Sequence, residues 1–226
     1  NYIKEYVNRF NPAVWSRFTR VNYMPEASEV ASYIAQVSGC YHVPIYLELY
    51  PSDLIIKKSP GYTITPRDWE AIAKLCCKSD ALKQQLKNLG YTDEETVEEM
   101  IKTKILAINE SIGENFYSLR EKIMEFPKVE QIIENPSKYF EKDISFEIYF
   151  LYRFLSEPNR FINDGALNIV KYYAERKLTP IGISYARALR KILFNGKYPA
   201  NVLKRYVVYL EKIANKVKSE EHEHIN

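Results

Sequence analysis

The sequence predicts a mainly α protein: a small α/β N-terminal region followed by a multi-helix domain with a helix-turn-helix. Three observations carry this. Pro12, Pro25, Pro44, Pro51, Pro60 and Pro66 cut the first third into short pieces, one of them rich in β-branched and aromatic residues. Beyond about residue 80, apolar residues recur at the three-and-four spacing of a helix. Hydrophobic residues make up 46% of the 226, enough for a core, yet no apolar run reaches the ~18 residues of a membrane span. The expected divisions are 1–80 for the α/β region, 81–218 for the helical domain and 219–226 for the start of a polar linker.

In chain order, Glu26 to Val37 places Ala27, Val30, Ala31, Ile34 and Val37 on one helical face, and Gly39 is its cap. His42 to Tyr50 (HVPIYLELY) reads as a strand, and Leu54 to Ile56 as a second. Pro60-Gly61 is a turn. Thr65 caps a helix with Pro66 at its first position and Asp68 in its first turn. Ala81 to Leu89 is a short helix closed by Gly90, and Thr92 with Glu95 forms a capping box for the next. That helix is expected to stop at Gly113, with another opening at Asn115 and ending before Pro127. Ser145 to Ser156 (SFEIYFLYRFLS) is aromatic enough to be buried on most faces. Helices follow over Gly165 to Lys177, Ser184 to Phe194 and Asn201 to Lys218, with a turn at Asn195-Gly196.

Charge is distributed unevenly. Residues 1–88 carry a net +3, residues 89–150 a net −7, residues 151–218 a net +10, and the last eight −3. Between 176 and 218 stand eleven basic residues and one acid, Glu211. Such density suits neutralising a phosphate backbone, whose counterions are released on contact. The competing reading is a solvated face, or one paired with the acidic middle of the same chain.

Three cysteines, Cys40, Cys76 and Cys77, do not make a disulfide framework and read as reduced thiols. With histidines only at 42, 222 and 224, no Cys/His set has zinc spacing, so no metal is expected. No phosphate loop, dinucleotide fingerprint, nucleophile elbow or HExxH occurs. His42 reads as structural, and the chain is not expected to be an enzyme or to carry a cofactor. Asn1 in place of Met leads us to expect a preceding segment. The absence of a charged-then-apolar leader leads us to expect a cytoplasmic location.

Two stretches have helix-turn-helix spacing. Ile105 to Phe126 turns at Gly113, and its second helix would present Asn115, Tyr117, Ser118, Arg120 and Lys122 to the major groove. Acids surround it: Glu110, Glu114, Glu121 and Glu125. Ser184 to Lys218 carries Arg187, Arg190, Lys191, Lys197, Lys204, Arg205, Lys212, Lys216 and Lys218 on two helices. Its longer turn points to phosphate contact rather than base readout.

Four pieces in order resemble the partition protein family ParB, over roughly residues 28–195. Val30 to Ile45 (VASYIAQVSGCYHVPI) is similar to that family's opening helix, glycine and proline-isoleucine segment. Thr65 to Ala71 (TPRDWEA) resembles its arginine box, keeping Arg67 and Ala71. Ile105 to Val129 is similar to its helix-turn-helix, and Lys177 to Leu189 (KLTPIGISYARAL) to the segment that follows. The resemblance implies double-stranded DNA as ligand, a partition ATPase as partner and self-association. Thr65 and Pro66 replace the donor-bearing residues with which such a box holds phosphate, so CTP binding is expected to be weak or absent. The expected function is DNA binding in a segregation system. The alternative is a helical nucleic-acid-binding subunit of a replication, viral or defence nucleoprotein complex.

Overall fold

The computed structural model describes residues 25–58, 62–77, 88–90, 102–103, 110–162, 165–196 and 198–223. The protein is mainly helical. The helix expected over Ala81 to Leu89 falls outside the described residues except at its end. The start of the helix expected after Thr92, the turn expected at Pro60-Gly61 and Lys197 also lie outside them.

α1 (Ala27–Ser38) starts where Glu26 and Glu29 exchange backbone and carboxylate contacts. It ends at Gly39, whose φ of 65° is the left-handed conformation that closes a helix without a Cβ penalty. α2 (His42–Leu49) occupies the segment whose composition predicts a strand. Pro44 sits in its first turn, where the missing N–H costs no hydrogen bond. Val43, Pro44, Ile45, Tyr46 and Leu47 are all buried. A segment enclosed on nearly every side loses both the two-residue and the 3.6-residue pattern, so packing decides its conformation.

A 3₁₀ turn (Pro51–Leu54) leads into a two-stranded antiparallel hairpin, β1 (Ile56–Lys58) and β2 (Tyr62–Ile64), in register Ile56 to Ile64. This hairpin is the whole of the β structure among the described residues. The expected α/β region is therefore helical, with a minimal hairpin, and the second strand lies just after Leu54 rather than across it. α3 (Pro66–Cys76) begins as its sequence dictates: the Asp68 carboxylate accepts from the Thr65 N–H at 2.9 Å and from its hydroxyl at 2.8 Å.

The remaining helices whose bounds lie among the described residues are α4 (Glu110–Met124), α5 (Val129–Glu134), α6 (Pro136–Phe140), α7 (Ile144–Ser156), α8 (Pro158–Ile162), α9 (Gly165–Glu175), α10 (Pro180–Asn195) and α11 (Ala200–Glu223). α7 is the hub. It packs against α1 and α2 on one side and against α5, α6, α8 and α10 on others. As its aromatic run predicts, Glu147 through Tyr152, Phe154 and Leu155 are all buried. Phe150, Phe154, Tyr173 and Tyr185 meet there at ring-centroid distances of 5.0–6.4 Å.

Two expectations fail here. α4 runs without a break through Gly113, which is buried and has no left-handed φ. A mid-helix glycine costs about 1 kcal/mol. Core burial of Ile112, Phe116 and Ile123 from the same helix exceeds that several-fold. The break on which the first helix-turn-helix rests is absent. α11 also extends past Lys218 to Glu223, through part of the expected linker.

Candidate nucleic-acid interface

The sequence-derived site residues fall into two groups on different elements. Asn115, Tyr117, Ser118, Arg120 and Lys122 all lie on α4. Asn115, Ser118 and Lys122 are exposed along one stripe, flanked by exposed Glu114, Glu121 and Glu125. Tyr117 is not on the open surface: its half-buried ring meets Phe116 edge-on at 6.0 Å, and the Arg120 guanidinium lies 5.7 Å from its centroid. No turn at Gly113 sets this helix off, and its surround is acidic.

The second group is assembled by a helical hairpin, α10 and α11, joined through 196–199. α10 is held by its inner face. Ile181, Tyr185, Ala186, Leu189 and Leu193 enter the core, which sends Ser184, Arg187, Arg190, Lys191 and Phe194 outward. α11 is anchored by Tyr206, whose hydroxyl donates to the Ile162 carbonyl, and by Ile213. Lys204, Arg205, Lys212 and Lys218 are exposed along it. Between the two helices runs a groove of about 380 Å³. Arg190 and Phe194 border it from α10, and Val207, Glu211, Asn215 and Lys218 from α11. The Arg190 guanidinium lies 5.8 Å from the Phe194 ring, which is 64% exposed.

The acidic middle of the chain does pair with the basic third, but not here. Arg160 meets Glu130 at 2.6 Å, and Arg176 approaches Glu141 at 3.9 Å. Lys216 is spent on the fold, its ammonium donating to the carbonyls of Arg176 at 2.7 Å and Tyr173 at 3.3 Å, where it caps the end of α9. Among the described residues, no ion pair engages Arg187, Arg190, Lys191 or Lys204.

The residues that resemble an arginine box serve as a helix start. Thr65 and Asp68 form the cap, Arg67 is exposed, and Trp69 is buried with its indole N–H donating to the Asp53 carbonyl at 2.9 Å.

A cluster that spacing does not reveal lies at the turn between α1 and α2. Cys40, His42 and Cys77, which lack zinc spacing along the chain, bring one sulfur or ring nitrogen each within 4.8 Å of one another. All three cysteines are free thiols. Thirty-odd residues separate Cys77 from the other two, so only the packing of α3 on α1 and α2 brings them together. No protein-family description, curated protein or solved structure matches this chain.

Proposed function

We propose that this chain binds double-stranded DNA through phosphate contacts made by α10 and α11. The observation that carries the reading is the run of exposed cations Arg187, Arg190, Lys191 and Lys204, which no ion pair within the described fold engages. A basic side chain left in water gains by releasing counterions from a duplex, and each phosphate met contributes about −0.9 to the slope of log affinity against log salt.

The unbroken α4 favours a second form of this reading. Without a turn at Gly113 to set off a reading helix, the basic surface lines a groove for nucleic acid inside a replication, viral or defence complex. A segregation role, with its partition ATPase and self-association, would use the same α10–α11 face but needs base readout from elsewhere. Either role places the chain in the cytoplasm with its ligand. No helix among the described residues is long and apolar enough to cross a membrane.

The test is duplex affinity at several salt concentrations for the triple variant Arg187→Ala, Arg190→Ala, Lys191→Ala, with folding checked by circular dichroism. We expect weaker binding to every duplex and a slope flatter by about 2–3. Arg120→Ala in α4 is expected to change the slope by less than one. Equal affinity for selected and scrambled duplexes favours the groove-lining form. Unchanged affinity and slope in the folded triple variant would refute nucleic-acid binding by this face.

A further inference from the structure

The cluster at the α1–α2 turn is built from three elements. Cys40 follows Gly39, the left-handed residue that ends α1, and is wholly buried. His42 opens α2, stacked on Tyr41 at a centroid distance of 4.1 Å, and the Arg153 guanidinium covers the Tyr41 ring at 4.4 Å. Cys77 closes α3 and is partly exposed. The Cys77 sulfur lies 2.6 Å from the Cys40 sulfur and 3.5 Å from His42 Nδ1.

We propose that Cys40 and Cys77 form a reversible intramolecular disulfide, with Cys77 as the attacking thiol, Cys40 as the resolving thiol and His42 as the group that positions Cys77. This inference is independent of nucleic-acid binding. The division of labour follows from burial and contacts. Cys77 is partly exposed while Cys40 is wholly buried, so an external oxidant meets Cys77 first. The Cys40 sulfur at 2.6 Å, with His42 and the Tyr41 backbone beside it, holds the Cys77 thiol down to about 5. Burial pushes Cys40 up, so it keeps its proton until needed.

The oxidant is a low-molecular-weight disulfide. The Cys77 thiolate attacks one of its sulfurs, forming a mixed disulfide and expelling one thiolate. Cys40 then gives up its proton, by way of His42, to a departing thiolate and attacks the Cys77 sulfur. That step forms the Cys40–Cys77 bond and expels the second thiolate. Two protein thiols are oxidised, one external disulfide is reduced to two thiols, and protons balance. Reduction by a dithiol reverses the sequence. A shared tetrahedral metal at ~2.3 Å from each sulfur would hold the two sulfurs well over 3 Å apart, so the close pair favours the disulfide.

The consequence is structural. A bond between 40 and 77 closes a loop containing α2 and the hairpin, and ties the end of α3 to the α1–α2 turn on which α7 packs. Closing a loop of that length should raise the unfolding temperature by roughly 8–15 °C in a chain of this size.

The experiment uses the full chain, reduced, freed of reductant and metal, and exposed to oxidised glutathione. The expected results are loss of two hydrogens from the intact mass, a digest peptide joining Cys40 to Cys77, and the thermal shift. Cys76→Ser should leave all three unchanged. Cys40→Ala should accumulate glutathione on Cys77, and Cys77→Ser should abolish reaction. His42→Ala should slow the crosslink while leaving its position unchanged. If the wild-type chain, folded by circular dichroism, forms no 40–77 crosslink, or pairs Cys40 with Cys76, the proposal is overturned. It is equally overturned if the reduced protein binds one zinc ion that Cys40, His42 and Cys77 are all needed to hold and that blocks oxidation.

Discussion

Glu147 is a buried carboxylate in the middle of α7, and its partners explain why it is tolerated. One of its oxygens accepts from the Tyr173 hydroxyl at 2.9 Å and from the Thr179 hydroxyl, and Thr179 in turn accepts from the Gly182 N–H at 3.0 Å to cap α10. A single side chain thus links α7, α9 and the start of α10. Replacing it with alanine strands one buried and one half-buried donor, and the expected loss is about 2–4 kcal/mol in chemical denaturation. Glu147→Gln keeps an acceptor oxygen and should lose about half of that or less. Equal losses would mean that packing, not the polar links, matters there. Cys77 gives a second prediction. A thiol held near 5 is already thiolate at neutral pH, whereas an ordinary cysteine in this range gains reactivity up to pH 9. Its alkylation rate should therefore level off by about pH 6–7, followed by mass spectrometry of the Cys77 peptide. A rate still climbing between pH 7 and 9 would contradict the thiolate assignment.

At the scale of elements, helix starts are set locally and helix neighbours are not. Thr65-Pro66 with Asp68 opens α3, Asn135-Pro136 opens α6, and Thr179-Pro180 opens α10, each in the cap-then-proline order that the sequence displays. Gly182 has a different role. A Cβ there would lie 2.5 Å from the Tyr173 ring, so the glycine lets α10 approach α9. Gly182→Ala must push the ring aside and should cost about 1–3 kcal/mol despite alanine's better helix propensity. Thermal unfolding of Gly182→Ala beside the double variant Gly182→Ala, Tyr173→Leu checks this, and the smaller side chain should recover part of the loss. The misread elements share one cause. α2 is enclosed by α1, α3, α4 and α7, and its burial overrides the strand-like composition of His42 to Tyr50. Gly113 stays helical because its neighbours Ile112 and Phe116 have core to fill.

At the scale of the molecule, one hydrophobic cluster of the described residues runs from Val30 to Ile213, so α1–α3 and the C-terminal helices share a core. Tyrosines stitch its edges: Tyr46 to Asp53 at 2.6 Å, Tyr152 to Glu48 at 2.5 Å, and Tyr185 to the Ala166 carbonyl at 3.1 Å. The high tyrosine content thus serves rings in the interior whose hydroxyls reach partners. A shared core should unfold in one step. In a Trp15→Phe background, fluorescence of Trp69, buried among α1, α2 and α3, should follow the same urea transition as far-UV circular dichroism. Separated midpoints would show that the N-terminal helices unfold as their own unit. The expected boundary near residue 80 falls outside the described residues.

Periodicity, caps and charge were enough to establish a helical protein, the starts of α3, α7 and α9, the burial of SFEIYFLYRFLS, and the basic character of α10 and α11, whereas α10 starts at Pro180, one turn before the expected Ser184. These depend on neighbours a few residues apart, which a linear reading contains. The conformation of His42 to Leu49, the continuity of α4, the use of Lys216 as a cap for α9, and the meeting of Cys40, His42 and Cys77 were decided by tertiary structure. Each depends on what stands opposite a residue across a helix interface. That partner lies tens of residues away along the chain, and the free energy of burying apolar surface there outweighs the local preference of about 1 kcal/mol or less.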